Sequence, residues 1–274
     1  MDRQTQGDFE QEEIEQQSIE EAAALAPKMI YEVIRRDGEE ELAPPTRSLV
    51  WSGIAAGILI SFSVLGEAIF RTYLPDTPTS FLIENLGYSF GFLLVILSGM
   101  QLFTENTLTT VLPLMAEPKL GVLGRISRLW AIVLAANVVG AFAAAALMVF
   151  TPAIPAGLQP AIAELSRHVV MMPAWDSFWR AIPAGILVAA IVWMLPQSDE
   201  GAFFVILAFT WLIAAGDFTH IVAGSVEMAY LILNGALGLP EAALGFFLPV
   251  LAGNVIGGTG IFALLVWGQV KEDV

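Results

Sequence analysis

The chain of 274 residues contains no cysteine. This absence excludes disulfides, zinc–thiolate sites and cysteine nucleophiles, and it leaves the redox compartment undetermined. Histidine occurs only twice. The sequence also lacks a glycine-rich phosphate loop, a metal-ligand cluster and a histidine placed beside a nucleophile. We therefore expect no enzymatic activity, no cofactor and no metal ion.

Charge is scarce as well. Only 14% of residues are charged, 56% are hydrophobic, and the mean hydropathy is +0.71. This composition is typical of an all-α membrane protein with several spans. The net charge of −15 arises largely at one end, because 13 of the 27 acidic residues precede Ser48. Such acidity argues against binding of nucleic acid and against an anionic-lipid anchor.

The pattern divides the chain into two parts. Residues 1–46 are predicted to be an acidic, cytoplasmic N-terminal tail, and no signal-peptide pattern precedes it. Within the tail, residues 27–38 predict a short amphipathic helix that begins at Pro27 and is closed by Gly38. Residues 47–274 are predicted to be a six-span transport domain.

One apolar stretch contains three polar side chains. Asp217, Thr219 and His220 lie between the apolar segments 201–213 and 221–233. Each segment is about half the roughly 20 residues that a spanning helix requires, so we predict one broken helix. Because polar groups at membrane depth are tolerated only beside protein or water, the break is a candidate functional site.

A similar break is predicted earlier. Apolar residues 91–102 and 108–115 flank Phe103, Thr104, Glu105, Asn106 and Thr107. In this interpretation, Phe103-Thr104-Glu105 matches Phe218-Thr219-His220. Residues 51–59 match residues 179–187, and the four residues that begin at Asn137 match Asn254 to Gly257. These matches predict an inverted three-helix repeat, with repeat 1 at about 47–150 and repeat 2 at about 175–270.

The predicted spans and the charges at their ends give an orientation. The spans are 49–70, 85–115, 129–150, 178–195, the broken fifth span, and about 243–267, and residues 151–177 are expected to form a loop. Basic residues near the span ends concentrate on the side of the N-terminus. The positive-inside rule therefore predicts a multi-pass protein of the plasma membrane with both termini cytoplasmic.

Several motifs together resemble one family. Leu102-Phe103-Thr104 lies in the second span, Gly216-x-x-x-His220 in the fifth, and Gly253-Asn254-x-x-Gly257-Gly258 in the sixth. These motifs are similar to those of the formate/nitrite transporter family. The stretches 81–92, 101–107 and 216–227 are closest to its YfdC-like branch, and the likeness extends from about Leu42 to Asp273.

The resemblance implies a homopentamer with an aquaporin-like protomer fold in the bacterial inner membrane. Each protomer would hold a pore for small monovalent anions such as formate or nitrite. Carried over by motif, Thr104 and His220 would face each other in a central chamber. Leu102 and Phe103 would form the cytoplasmic slit, and Tyr88, Phe92 and Ile213 are assigned to the outer constriction.

Physical chemistry suggests a mechanism for such a pore. An anion loses its hydration in a dry slit at a cost of many kcal/mol, whereas its neutral acid crosses more easily. We hypothesise that His220 supplies a proton to the permeant while Thr104 hydrogen-bonds to it. The expected partners are then a small anion, a proton and membrane lipid.

The sequence departs from the family near the breaks. Typical members have a glutamate and an asparagine where this chain has Thr219 and Gly224, while Glu105, Asp217 and Glu227 add acidic groups. If they are ionised and face the pore, these carboxylates would repel an anion. Two alternatives therefore remain open: the same pore with a neutral small molecule or weak base as permeant, or a membrane scaffold or sensor that transports nothing.

Overall fold

The computed structural model describes residues 25–272, so the part of the predicted acidic tail before Leu25 lies outside the described residues. Within this range the regular structure is helical and contains no strand. The helices are α1 (Pro27–Glu41), α2 (Thr46–Tyr73), α3 (Pro78–Leu97), α4 (Phe103–Thr109), α5 (Leu112–Ala116), α6 (Leu120–Phe150), α7 (Gln159–Val170), α8 (Ala174–Gln197), α9 (Ala202–Ala215), α10 (Ile221–Leu233) and α11 (Leu239–Val270).

Five of these helices are long and apolar enough to cross a membrane. They are α2, α3, α6, α8 and α11. Helices α9 and α10 are also apolar but have 14 and 13 residues. At 1.5 Å per residue, neither is long enough to cross a hydrocarbon core of about 30 Å by itself. The chain is thus a multi-helix membrane protein, with two short apolar helices in succession.

Two helix pairs pack backbone against backbone at glycine. In the first pair, Gly57 of α2 and Gly140 of α6 lie so close to the partner helix that a side chain at either position would overlap a carbonyl oxygen. Gly185 of α8 and Gly257 of α11 meet their partner helices in the same way. Small residues permit this approach, which maximises van der Waals contact where water supplies no hydrophobic force.

Helix α1 docks onto the helical bundle. Ile30, Tyr31 and Ile34 are buried, and the Tyr31 hydroxyl donates to the carbonyl oxygen of Leu112 at 3.3 Å. The expectation that Gly38 closes this helix is wrong, because the helix continues to Glu41. Gly38 instead lies against the carbonyl group of Thr109, where a β-carbon would not fit.

The expected loop at residues 151–177 is also wrong in part. It contains α7, in which Pro160 occupies the first turn. Proline is tolerated there because backbone N–H groups in the first turn have no hydrogen-bond partner within the helix. Leu158, Ile162 and Leu165 are buried in the main core, so α7 packs on the bundle. Pro160 and Pro173 of this segment thus lie at the starts of helices α7 and α8. Helix α6 likewise begins at Leu120, nine residues before the predicted span.

Replacing Gly57 with alanine tests the backbone contact. We expect Gly57→Ala to destabilise the protein by about 1–3 kcal/mol, since the added methyl group overpacks the α2–α6 contact. The matched control is Gly124→Ala in α6, where a β-carbon meets nothing within 4 Å. That change should be neutral or stabilising by up to about 1 kcal/mol through helix propensity. Thermal unfolding of the purified variants measures both effects, and equal shifts would contradict the packing argument.

The docking of α1 should depend on pH. The half-buried Glu41 forms no salt bridge within residues 25–272. Its carboxylate accepts a hydrogen bond from the Thr109 hydroxyl at 2.6 Å. Burial raises the pKa of Glu41 from 4.5 to about 7. The docked state therefore binds more protons than the undocked state between these values, so docking weakens by up to about tenfold per pH unit as pH rises from about 4.5 to about 7 and levels off above pH 7.

Hydrogen exchange of the α1 amides, corrected for intrinsic rates, measures this effect. Exchange in the native protein should accelerate between pH 5 and pH 7 and level off above pH 7. The Glu41→Gln variant, which keeps the shape but cannot ionise, should show pH-independent protection. Native protection that does not change with pH would exclude Glu41 as the controlling group.

Candidate functional site

The chain leaves helical geometry at two places within apolar segments. Helix α3 ends at Leu97 and α4 begins at Phe103, with Gly99 at a φ of 64° between them. Helix α9 ends at Ala215 and α10 begins at Ile221, with Asp217 at a φ of 54°. The first interruption therefore lies before residues 103–107, where it was expected, and those residues are helical. The chain changes direction at Gly99, because glycine adopts the left-handed conformation without steric strain.

Each interruption is held by one asparagine. The Asn137 amide accepts a hydrogen bond from the N–H of Phe103 at 3.0 Å and donates to the carbonyl oxygens of Gly53 and Gln101. Asn254 accepts from the N–H of Ile221 at 2.8 Å and donates to two carbonyl oxygens in the same arrangement. Both side chains are fully buried, and each uses its oxygen and both amide hydrogens.

These contacts correct the register of the repeat. Phe103 and Ile221 occupy equivalent positions, because each is the first helical residue and donates to the equivalent asparagine. The residues just before them, Leu102 and His220, have similar extended backbone angles. Aligning Phe103 with Phe218 was therefore wrong by three residues. That alignment relied on the shared Phe-Thr sequence. The equivalent hydrogen bonds to the two asparagines place the repeats in a different register, and such bonds cannot be read from the amino-acid sequence.

His220 joins the two interruptions. Its Nε2 atom is 2.8 Å from the hydroxyl of Thr104, and its Nδ1 atom accepts from the N–H of Ala223 at 3.2 Å. Because Nδ1 is an acceptor, the neutral ring carries its hydrogen on Nε2, which donates to Thr104. Both side chains are about 1% exposed. The Thr104 hydroxyl keeps its own hydrogen for another acceptor.

Two cavities approach this pair from opposite directions. The larger, here called the His220 cavity, has a volume of about 620 Å³ and extends from the exposed His168 to His220. The smaller, here called the α1 cavity, has a volume of about 360 Å³ and is lined by α1 and by Leu102, Glu105 and Asn106. No residue lines both, and the contact of Thr104 with His220 lies at the end of the first.

Polar residues expected at the breaks take different positions. Asp217 lines the His220 cavity and pairs with Arg180 and, at 2.9 Å, with His168. Glu105 faces the α1 cavity, as does Asn106, whose amide donates to the Gln101 side chain at 3.0 Å. Thr219 turns away, and its hydroxyl donates to the carbonyl oxygen of Ser177 at 2.7 Å.

The residues assigned to constrictions are also distributed unevenly. Tyr88 lines the His220 cavity, and Phe92 packs edge-on against the His220 ring at 5.0 Å. Leu102 lines the α1 cavity, whereas Phe103 packs against Trp130 and lines neither cavity. Ile213 is buried in the core and also lines neither.

The structure adds Glu67 and Glu227 to the candidate site. Both line the His220 cavity and are 8% and 4% exposed. The sequence pattern marked Glu227 as an acidic group near the second break but did not include it among the pore residues, and it assigned no role to Glu67. The available signal was position, since a carboxyl group inside an apolar span indicates a functional site. Among residues 25–272, no three His, Asp or Glu side chains are grouped to hold a metal ion.

Removing an asparagine contact should destabilise the protein. Asn254→Ala leaves the Ile221 N–H and the carbonyl oxygens of Ala181 and Thr219 without their partner. Each such group costs about 1–3 kcal/mol when it stays buried. Asn234→Ala is the control, because Asn234 is exposed and accepts from the N–H of Ala236 at the protein surface. Thermal unfolding should show a clearly larger loss for Asn254→Ala, and similar losses would disprove the role of the buried amide.

Comparison with known proteins gives consistent matches. The family model described as "Formate/nitrite transporter" matches residues 28–268. Inner membrane protein YfdC of Escherichia coli (strain K12) is 44% identical over 245 residues, which are 89% of this chain and 79% of that protein. Formate channel FocA of Haemophilus influenzae is 27% identical over 246 residues, covering 77% of this chain and 84% of that protein.

Two solved structures have the same fold. A "Pentameric formate channel with formate bound" superposes with a TM-score of 0.70 at 20% identity, over 83% of this chain and 98% of that chain. An "FNT family ion channel" superposes with a TM-score of 0.74 at 18% identity, over 88% of this chain and 98% of that chain. The helical arrangement described above is thus that of known channel protomers.

Proposed function

Because the chain belongs to the formate/nitrite transporter family, we propose that it transports small monovalent anions of weak acids, of the formate or nitrite type, across the bacterial inner membrane. The observation that carries this proposal is the hydrogen-bonded pair of Thr104 and His220 at the buried end of the His220 cavity. The relatives named as formate channels supply the substrate class. The pentameric relative supports assembly as a homopentamer with one pore in each protomer.

We propose six membrane crossings in two inverted repeats. Helices α2, α6, α8 and α11 each make one crossing, α3 and α4 together make the second, and α9 and α10 together make the fifth. The α1 side is assigned to the cytoplasm with both termini, because basic residues concentrate there. These residues are Arg35, Arg36, Arg47, Lys119, Arg125, Arg128 and Lys271, against Arg71, Arg167 and Arg180 on the other side. The His220 cavity then faces outward and the α1 cavity inward.

The permeant enters the His220 cavity from the outer side and reaches His220 and Thr104. The hydroxyl hydrogen of Thr104 can donate to an anion directly, and the Nε2–H of His220 can do so once it releases the Thr104 oxygen. Tyr88 lines the approach and Phe92 packs against Tyr88 and His220, so these two residues are assigned to the outer constriction. Leu102 separates the His220 cavity from the α1 cavity. Phe103 and Ile213 are assigned a supporting role, since both pack into the protein.

We infer that the permeant crosses the dry segment as its neutral acid. Moving an unpaired anion into such a segment costs many kcal/mol, which protonation removes. For His220 to supply the proton, the ring must first become an imidazolium. The second proton would occupy Nδ1 and break the hydrogen bond from Ala223. An anion beside the ring offsets that loss by stabilising the imidazolium.

One observation favours a second candidate, a neutral solute or weak base as permeant. Asp217 is neutralised by Arg180, but Glu105 faces the α1 cavity without a side-chain hydrogen bond or ion pair among residues 25–272. An ionised Glu105 repels anions and attracts a protonated base. Transport of methylamine in place of formate would favour this candidate.

Flux measurements in proteoliposomes test the proposal. The native protein should transport formate and nitrite saturably and faster with an inward proton gradient. His220→Asn should reduce this flux by about 100-fold, the lower end of what a positioned proton donor contributes. The control is His168→Asn, because His168 is the other histidine and is exposed at the cavity rim; it should retain native flux. A native protein that transports neither anion under any gradient would refute the proposed substrate class.

A further inference from the structure

Two carboxyl groups in the His220 cavity have no partner. Glu67 of α2 and Glu227 of α10 are more than nine-tenths buried. Neither makes a hydrogen bond or an ion pair with any residue in the described range 25–272, although both line the cavity. They are close enough for their charges to interact. Two transmembrane helices, α2 and α10, therefore each contribute an acidic side chain to the His220 cavity.

The nearby cations are already engaged. Arg71, one turn from Glu67, pairs with Glu84 at 2.6 Å and with Glu164 at 3.3 Å. Arg180 is paired with Asp217. The other charged or titratable residues that line the cavity are Arg167 and His168 of α7 and His220. No cation thus makes an ion pair with either glutamate in the described part of the chain.

Tyr88 provides an independent indication of a ligand. Its side chain is 8% exposed, lines the same cavity and lies close enough to Glu67 and Glu227 for their charges to interact. Its hydroxyl makes no hydrogen bond within residues 25–272, although the ring packs against Phe92 at 5.1 Å. Phe92 in turn contacts His220. A buried hydroxyl normally has a partner, so this one is available to a molecule in the chamber.

Unpaired carboxylates in a narrow chamber are unfavourable. Two like charges in one cavity of low dielectric constant repel, and a proton on one of them removes the repulsion. The neighbouring imidazole is a weaker proton store, because its Nδ1 atom already accepts from Ala223. The carboxyl pair is therefore the group in this chamber best suited to hold a proton.

We propose that Glu67 and Glu227, with the Tyr88 hydroxyl, form a proton-loading site at which an entering weak-acid anion becomes a neutral acid before it reaches His220. This inference rests on the proposed transport function and assigns to the carboxyl pair the proton donation that the proposed function gave to an imidazolium at His220. A small monocarboxylate or nitrite accepts hydrogen bonds from the protonated carboxyl group and from Tyr88. The ligand is thus a proton together with a weak-acid anion.

The proton transfer balances without another reactant. The O–H bond of the protonated carboxyl group breaks, and an O–H bond forms on the permeant. The negative charge of the anion is left on the glutamate pair. Water entering the exposed rim of the cavity returns a proton to the pair once the neutral acid has moved on toward Thr104. Each cycle therefore carries one proton with one anion.

The test compares Glu67→Gln, Glu227→Gln and the double variant with the native chain in proteoliposomes. A pH dye in the lumen and labelled formate report protons and formate together at an outer pH of 7. In the double variant, formate uptake and coupled proton entry should both fall by about 100-fold, as for loss of a general acid. The matched control, Glu164→Gln, replaces an exposed carboxylate at the same cavity and should retain native coupling.

The opposite results would overturn the inference. If the carboxylates only repel anions, the glutamine variants should transport formate faster than the native chain. If they only line the wall, uptake and coupling should not change. A native protein that transports no formate would refute the proposed function and not this inference. Infrared spectroscopy would then still show whether the carboxyl pair holds a proton. Because Glu41 also holds a proton in part at pH 7, the decisive measurement is the native spectrum minus that of the double variant. This difference should contain the C=O band of a protonated carboxyl group, and its absence would disprove the proposal.

Discussion

The structure depends on the need to satisfy backbone polar groups inside a membrane. A helix that stops at membrane depth exposes N–H and carbonyl groups that no water can reach. This chain interrupts its helices twice and assigns one buried asparagine to each interruption. Each amide forms three hydrogen bonds, so the new helix starts at a fixed residue. The glycine contacts of α2 with α6 and of α8 with α11 hold these asparagines in place, because Asn137 and Asn254 lie on α6 and α11.

The two asparagines also define the site. They make Leu102 and His220 equivalent, so one repeat has an apolar side chain where the other has an imidazole. This difference gives the site a polar side at His220 and an apolar side at Leu102. The charges are equally uneven. Asp217 has Arg180 as a partner, while Glu67 and Glu227 line the His220 cavity without an ion pair to any residue between 25 and 272. Proton handling is therefore expected on the side of the His220 cavity.

Sequence patterns predicted the helical class, the family and the residues around His220 for physical reasons. Apolar runs of about 20 residues are unmistakable, and the second interruption is marked by Gly216 and Asp217 directly. The first interruption was misplaced, because Thr104 and Glu105 are polar but helical, whereas Gly99 carries the reversal. Polarity indicates which residues face a cavity. It does not indicate where a helix starts, which depends on the partner of the first free N–H group.

The sequence by itself determined that the chain is helical, lies in a membrane and has two related halves, because hydropathy and small-residue patterns are local properties. It also singled out Thr104 and His220. Only the tertiary structure decided that these two side chains share a hydrogen bond, that Ala223 fixes the histidine tautomer, and that Glu67 and Glu227 line one cavity. These relations join residues more than 100 positions apart, or depend on a backbone N–H that the sequence does not reveal. Such contacts exist only once the helices have packed.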